Sequence, residues 1–196
     1  MDTDKLTIYA VGDMCPNRPN PEYLFGMALP TIKQADILFG QLEHLLSEKG
    51  EPQLFLPDYQ RSRDTRISPE RVSGLTYAGF DVISYAGNHN LERGEEAFFE
   101  TIDTLRKNNI EVVGVGNNID EARKPVILER KGVKVGFLAY CSILPKKGGE
   151  AGPDKPGSAP MRASTFYEQV DWQPGTPPKI ITLADKDDLA ALVDGY

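Results

Sequence analysis

Three short polar clusters stand out because each directly follows an apolar, strand-like run of residues. The clusters are Gly12-Asp13, Gln41-Leu42-Glu43 and Gly87-Asn88-His89. Carboxylate and amide oxygens bind hard divalent cations such as Mg²⁺ or Mn²⁺, and a neighbouring imidazole can give or take a proton. Ligands of open α/β sheets sit beyond the carboxyl ends of the strands. The clusters therefore predict one shared polar site of the metal-binding type.

Each cluster has a simpler explanation when it is considered alone. Asp13 could bond its own turn backbone, and Glu43 could be an exposed surface residue. His89 could be structural or exposed, as single histidines usually are, although it lies between two asparagines. Three such clusters, each ending a predicted strand at the same edge of a sheet, favour the shared site over three separate coincidences.

Other candidate motifs are weaker. The run Gly114–Asn118 resembles a phosphate-binding glycine turn, but it lacks the third glycine of the dinucleotide motif and any Lys-Ser/Thr pair. A tight strand-to-helix turn explains it better. Arg61, Arg63 and Arg66 could clamp an anionic substrate, with an exposed loop as the simpler reading. No serine or cysteine occupies a nucleophile elbow, and no Cys-x-x-Cys is present.

The elements that must position the clusters alternate between strands and helices. Strand-like runs cover residues 6–11, 36–40, 80–85 and 110–115, separated by helical segments at 23–34, 68–79 and 94–109. In the last of these, Phe98, Ile102 and Leu105 recur at helical spacing. The segments 125–129 and 133–140 flank Arg130-Lys131-Gly132 and predict a β-hairpin. This order predicts an α/β fold, a sheet with helical cover.

The character of the chain changes at Pro145. Residues 145–178 are rich in glycine and proline, which predicts a long ordered excursion within a single domain of residues 1–196. Its aromatic residues, Phe166, Tyr167 and Trp172, are expected to be buried. A strand at 179–183 and a helix at 186–193 are predicted to follow.

Composition excludes several classes of protein. The 196 residues carry a net charge of −7, which argues against nonspecific nucleic-acid binding. The two cysteines lack motif spacing, as expected of reduced thiols. No secretory signal begins the chain, and no window approaches the roughly 18 apolar residues of a membrane span. We therefore expect a cytoplasmic protein without a membrane segment.

Several ordered motifs resemble the poly-γ-glutamate/capsule biosynthesis (CapA-type) proteins of the calcineurin-like metallophosphatase superfamily. The matching segments are Gly12-Asp13 with Arg18, Ala35–Glu43, Gly79–Ser84 leading to Asn88-His89, and Gly114–Asn117 with Glu121-Ala122. The resemblance covers residues 5 to 145 well and the remainder less distinctively. It implies the N-terminal part of an αββα sandwich, with a mixed sheet and helical cover.

The resemblance also implies roles for individual residues. Asp13, Glu43 and Asn88 would ligate a pair of divalent metal ions (Mn, Mg, Fe or Zn), with Glu43 bridging them. His89 would be the catalytic residue, contacting the substrate or acting as an acid. Weaker candidates for substrate binding are Arg18, Asn90 and Glu92. The metals would activate water for attack on an anionic or phosphoester substrate or polymer precursor.

This sequence departs from the family pattern in several ways. Gln41 and Gly87 replace asparagines, and Glu92 replaces an aspartate. Proteins of this family continue into a second half that contains a His-Trp-Gly-type segment and later histidines. We expect that half to be missing here and interpret the chain as C-terminally truncated. We therefore expect weak metal binding, little activity alone, and an exposed sheet face that promotes self-association. The alternative function is a non-catalytic accessory or binding protein of polymer assembly.

Overall fold

The computed structural model describes residues 5–53, 56–61, 64–145, 148–173 and 175–194. The strands within these ranges are β1 (Ile8–Met14), β2 (Ile37–Leu42), β3 (Leu45–Leu46), β4 (Arg66–Ile67), β5 (Val82–Ser84), β6 (Glu111–Val113), β7 (Val115–Gly116), β8 (Val126–Arg130), β9 (Val133–Phe137), β10 (Gly157–Ser158), β11 (Ala163–Glu168) and β12 (Lys179–Ala184). The α-helices are α1 (Leu29–Ile32), α2 (Asp58–Arg61), α3 (Val72–Ala78), α4 (Glu95–Lys107), α5 (Ile119–Ala122) and α6 (Lys186–Asp194). Short 3₁₀ turns cover Pro21–Tyr23, Gly26–Ala28 and Pro69–Arg71.

A parallel sheet forms the centre of the molecule. Its strands lie in the order β1-β2-β5-β6, and each neighbouring pair runs parallel. Parallel neighbours need crossover connections, which the intervening helical segments provide. The predicted fold class is confirmed: the molecule is a mixed α/β structure with a parallel sheet and helices, consistent with part of a calcineurin-like sandwich.

The first two strands extend further than the sequence predicted. β1 includes Gly12 and Asp13 and ends at Met14, with a shift in register between Val11 and Asp13. β2 continues through Gln41 to Leu42. The polar residues at these two strand ends are therefore held by sheet pairing, since Asp13 lies opposite Gln41.

The helices bury their apolar faces against the sheet. Phe98, Ile102 and Leu105 on α4 are all buried in the main hydrophobic core, as their spacing predicted. Helix α3 ends at Gly79, whose φ of 90° is in the left-handed region that favours glycine. Phe80 then returns the chain to the core.

The predicted hairpin is confirmed as the antiparallel pair β8–β9. Its turn residues, Lys131 and Gly132, have φ values of 52° and 76°. Lys131 Nζ donates to Asp36 Oδ2 at 2.8 Å, and Arg130 Nη2 donates to Asp81 Oδ1 at 3.0 Å. Because these aspartates precede β2 and β5, the ion pairs tie the hairpin to the amino edge of the sheet, opposite the polar clusters.

The C-terminal part corrects two predictions. Within the excursion at 145–178, residues 163–168 form β11, which pairs antiparallel with β12 along its whole length. Phe166, Tyr167 and Trp172 are 54%, 69% and 91% exposed, so the prediction that they are buried is wrong. The physical reason is that β11 and β12 form a two-stranded ribbon, and the rest of the described chain leaves its side chains exposed.

Helix α6 was predicted, and a buried carboxylate anchors it. Asp188 is 1% exposed and accepts hydrogen bonds from Nε, Nη2 and the backbone N–H of Arg162, each at 2.8 Å. Arg123 Nη2 also donates to it at 3.2 Å. Each helix that the structure describes is too short or too polar to span a bilayer.

Candidate functional site

The three polar clusters meet in one cleft of about 290 Å³ at the carboxyl edge of the parallel sheet. From the strand ends, its lining residues are Asp13, Gln41, Glu43, Ala86, Gly87 and Asn88. A wall formed by residues 140–143 completes the lining. The structure therefore brings together residues from all three clusters, as the strand-end argument predicted.

The two carboxylates come from adjacent strands. Asp13 lies near the end of β1 and is exposed. Glu43 follows β2 directly, is half-buried, and its backbone N–H donates to the Met14 carbonyl at 3.1 Å. This bond continues the sheet pairing one residue past β2, so the backbone holds both carboxylates at the mouth of the cleft.

Gln41 connects the ends of β2 and β5. Its Nε2 donates to the carbonyls of Leu42 at 3.2 Å and Ala86 at 3.4 Å. The side chain lies beside Gly87, where an added Cβ would come 3.3 Å from Nε2. Gln41 therefore forms part of the floor of the cleft and fills space next to Gly87.

His89 is held on both sides of its ring. Nδ1 lies 2.7 Å from Glu92 Oε1, and Nε2 lies 3.2 Å from Asn88 Nδ2. The hydrogen bond with Glu92 raises the pKa of His89, and the negative charges of Glu43 and Asp13 act in the same direction. The imidazole thus has a fixed orientation next to a residue that lines the cleft.

His44 was not predicted to belong to the site. Its ring lies edge-on to that of His89, with 5.7 Å between the centroids, and its Nδ1 is 3.0 Å from Cys15 Sγ. The signal was available, because His44 follows Glu43 directly and is the chain's other histidine. The site therefore also contains a thiol–imidazole contact.

With this geometry in view, comparison with known proteins identifies the family. The family described as "Bacterial capsule synthesis protein PGA_cap" matches residues 7–193. The chain belongs to the PGA_cap family. The resemblance read from the sequence is therefore confirmed.

Individual relatives agree with this assignment. The PGA_cap chain is 28% identical to "Capsule biosynthesis protein CapA" of Bacillus anthracis, over 86% of this chain and 42% of that protein. It is 23% identical to "PGA biosynthesis protein CapA" of Bacillus subtilis (strain 168), over 85% of this chain and 45% of the relative. It is 30% identical to "Uncharacterized protein y4sH" of Sinorhizobium fredii, over 81% of this chain and 36% of that protein. The chain thus spans less than half the length of these curated relatives.

The second wall of the PGA_cap cleft was also missed. It consists of Tyr140, Cys141, Ser142 and Ile143, which follow β9. Cys141 is buried, and this burial raises the pKa of its thiol. The strand-end argument did not point to this segment, because β9 belongs to an antiparallel pair separate from the parallel sheet.

The predicted substrate-binding residues have different surroundings. Arg18 is exposed. Asn90 is buried, and its Nδ2 donates to the Tyr85 carbonyl at 3.0 Å and to Ser158 Oγ at 2.6 Å. Glu92 is buried and accepts hydrogen bonds at both carboxylate oxygens. Contact of these residues with a substrate stays a prediction.

The three arginines show no common clamp among the described residues. Arg61 pairs with Asp58, and Arg66 pairs with Asp64 through Nε at 2.8 Å and Nη2 at 2.9 Å. Arg63 lies outside the described residues. Arg61 and Arg66 therefore each pair with an aspartate close to them in the sequence.

The glycine-rich run after β6 is the tight turn that the sequence favoured. Asn118 Oδ1 accepts from the Glu121 backbone N–H at 2.9 Å and so caps helix α5. An added Cβ on Gly116 would come within 2.4 Å of Glu121 Cβ. The glycine is therefore required by the close approach of the helix.

The donor chemistry of the cleft suits a hard divalent cation. Asp13, Glu43 and Asn88 offer side-chain oxygens in one cleft, and such oxygens are the preferred ligands of Mg²⁺ and Mn²⁺. Among the residues that the structure describes, no three His, Cys, Asp or Glu side chains are already grouped for metal binding. The ligand types therefore suit a hard divalent cation, and the Asn88 amide oxygen is needed as one of the ligands.

Proposed function

We propose that this PGA_cap chain carries a divalent-metal site of the metallophosphoesterase type and acts in the synthesis of capsule or poly-γ-glutamate polymer. Membership of the capsule synthesis family supports the process. The observation that carries the chemistry is the cleft, where Asp13, Glu43 and Asn88 converge from three strand ends. Oxygen ligands at the carboxyl edge of a parallel sheet are well placed to hold metal ions beside a substrate.

Asp13, Glu43 and Asn88 would hold the metal, with Glu43 between the other two along the sheet edge. When bound, divalent ions of this kind supply an activated water and neutralise charge on a phosphoester. The identity of the ion is open among Mn, Mg, Fe and Zn. We expect weak binding, because the described carboxylates, imidazoles and thiols do not already form a group of three.

His89 is the residue proposed to contact the substrate or to protonate the leaving oxygen. It lies next to Asn88, and Glu92 fixes its ring at 2.7 Å. A general acid must be held within hydrogen-bonding reach of the atom that it protonates. The substrate class that fits this chemistry is an anionic or phosphoester precursor of the polymer.

A second function has one observation in its favour. Since no three of the described His, Cys, Asp or Glu side chains are grouped around a metal position, the site could be vestigial. The chain would then be a non-catalytic accessory or binding protein of polymer assembly. Phosphoester hydrolysis separates the two functions.

The test is Mn²⁺-dependent hydrolysis of a chromogenic phosphodiester by the full chain. We expect slow hydrolysis that falls about 100-fold or more in His89→Gln, the usual loss for a general acid. Asp103→Asn is the matched control, because Asp103 is exposed on α4. Hydrolysis that is absent, or equal in the wild type and His89→Gln, would support the accessory function instead.

The exposed ribbon β11–β12 supports a further proposal about partners. Phe166, Tyr167, Ile180 and Leu183 are each more than half exposed on this ribbon. Tyr167 pairs with Ile180, so these two side chains share one face of the ribbon, while Phe166 and Leu183 lie on the other. Exposed apolar patches of this kind mark association surfaces. We propose that the chain self-associates through the ribbon.

A further inference from the structure

We infer that a chain of hydrogen bonds from Thr65 through Glu92 and His89 to Asn88 sets the direction of the Asn88 amide, so that its oxygen is available in the cleft. Thr65 and Glu92 are thus positioning residues for a ligand that they do not touch. The inference rests on the proposed metal site for its functional meaning, and on the hydrogen bonds alone for its structural content.

The first link is between two buried side chains. Thr65 is 8% exposed and Glu92 is 4% exposed, and Thr65 Oγ1 lies 3.1 Å from Glu92 Oε2. An ionised carboxylate can only accept hydrogen bonds, so the threonine hydroxyl is the donor. This bond fixes one oxygen of Glu92 and thereby the rotation of its carboxylate.

The second link determines which ring nitrogen of His89 carries the proton. The other oxygen of Glu92, Oε1, lies 2.7 Å from His89 Nδ1. Since the carboxylate accepts, Nδ1 must donate. In the neutral ring Nε2 is then a bare acceptor, because a neutral imidazole has one donor and one acceptor nitrogen.

The third link reaches the proposed metal ligand. Asn88 Nδ2 lies 3.2 Å from His89 Nε2. An acceptor nitrogen can pair with the NH₂ group of an amide but not with its carbonyl oxygen. In the neutral ring the amide nitrogen of Asn88 therefore faces His89, and Oδ1, on the other branch of the planar group, is left for a cation.

The sheet pairing explains why Thr65 is well placed for this task. Thr65 immediately precedes β4, where Arg66 pairs with Leu45 of β3. Strand β3 begins two residues after Glu43, another proposed ligand. The backbone N–H of Gln53 also donates to the Glu92 carbonyl at 2.9 Å, which attaches the intervening loop to the same segment. The small β3–β4 pair thus positions both Glu43 and the start of the hydrogen-bond chain.

Ring nitrogen NMR tests the chain of bonds directly in the metal-free protein. Only His44 and His89 contribute imidazole signals, so a long-range proton–nitrogen spectrum of the full chain is simple. At alkaline pH, where both rings are neutral, we expect His89 as the Nδ1–H tautomer. Thr65→Val, which removes only the hydroxyl, should shift the His89 signals toward the Nε2–H tautomer, and Thr65→Ser should restore them. The His44 signals are the internal control and should not move.

Two outcomes of the spectra would overturn the inference. One is a wild-type His89 in the Nε2–H tautomer, which needs no variant to observe. The other is a Thr65→Val spectrum in which the His89 signals equal those of the wild type.

Mn²⁺ affinity then tests the effect on Asn88. Thr65→Val should weaken Mn²⁺ binding about 10-fold or more, the usual loss for a residue that orients a ligand. In the Asn88→Asp background the same change should have a smaller effect, because either carboxylate oxygen can face the cation. Equal losses in both backgrounds would contradict the inference. Failure of the proposed function appears instead as absent Mn²⁺ binding with the wild-type ring spectrum intact.

Discussion

Nε2 of Gln41 lies 3.3 Å from the point that a Cβ on residue 87 would occupy, so the glutamine side chain and Gly87 share one space. These are two of the positions at which the resemblance led us to expect departures from the family pattern. The Gln41 side chain reaches across to the Ala86 carbonyl, and a Cβ at residue 87 would require it to move by a few tenths of an ångström. The two departures are therefore physically linked.

This linkage predicts non-additive stability. Gly87→Ala should destabilise the wild type by about 1 kcal/mol through overpacking against Gln41. In the Gln41→Ala background the same change should be neutral or stabilising, as Gly→Ala often is at compatible sites. Urea unfolding of the wild type, the two single variants and the double variant gives the coupling free energy between the two positions. Gly136→Ala is the control, because no atom lies within 4 Å of the added Cβ. Equal effects in both backgrounds would show that the positions are independent.

The anchor of helix α6 predicts a loss of stability. Asp188→Asn should cost about 2 kcal/mol in the free energy of unfolding, because the charged, buried acceptor of several part-buried hydrogen bonds is removed. Asp187→Asn, an exposed neighbour on the same helix, is the matched control. Amide hydrogen exchange should show faster exchange in α6 for the first variant only. An unchanged free energy of unfolding in Asp188→Asn would refute the proposed anchor.

The same carboxylate predicts a pH dependence. Hydrogen bonds from Arg162 lower the pKa of Asp188 below its ordinary value of 3.8. As the pH falls, the Asp188 carboxylate is therefore protonated in the unfolded chain before it is protonated in the folded chain. Its stabilisation is present above about pH 4 and is lost as the pH falls through the folded-state pKa. Urea midpoints measured between about pH 6 and pH 3 should fall less steeply in Asp188→Asn than in the wild type. Parallel curves would mean that Asp188 does not contribute.

Self-association through the ribbon β11–β12 predicts a concentration-dependent mass in light scattering. Phe166→Ser should lower that mass, because Phe166 is 54% exposed on the ribbon. Ile127→Ser, which changes a 62% exposed residue on the other hairpin, is the control. A wild-type chain that remains monomeric at high concentration would argue against the proposed association.

The sequence was sufficient for the α/β fold and the convergence of the polar clusters, because both depend on local patterns. Alternation of apolar runs and helical spacing predicted the central strands and α4, and strand ends of a parallel sheet necessarily share an edge. Glu43 and Asn88 could be placed by that argument without knowledge of any contact.

The contacts that depend on long-range packing could not be read from the sequence. Thr65 lies 27 residues from Glu92, and long-range contacts such as the Gln53–Glu92 backbone hydrogen bond and the Arg93–Asp64 ion pair bring the two segments together. The exposure of Trp172 was unexpected because apolar residues are normally buried, and nothing local indicates that a strand pair remains uncovered. Residues 140–143 were missed because the strand before them belongs to an antiparallel pair outside the parallel sheet, where the strand-end rule does not apply.

Mn²⁺ binding to the full chain tests the central claim most directly. We expect saturable weak binding by electron paramagnetic resonance that is lost in Asp13→Asn and in Glu43→Gln. Asp103→Asn and Glu111→Gln change exposed carboxylates on α4 and at the amino end of β6, and they should bind Mn²⁺ as the wild type does. Equal binding by all five proteins, or no binding by the wild type, would contradict a metal site formed by Asp13, Glu43 and Asn88.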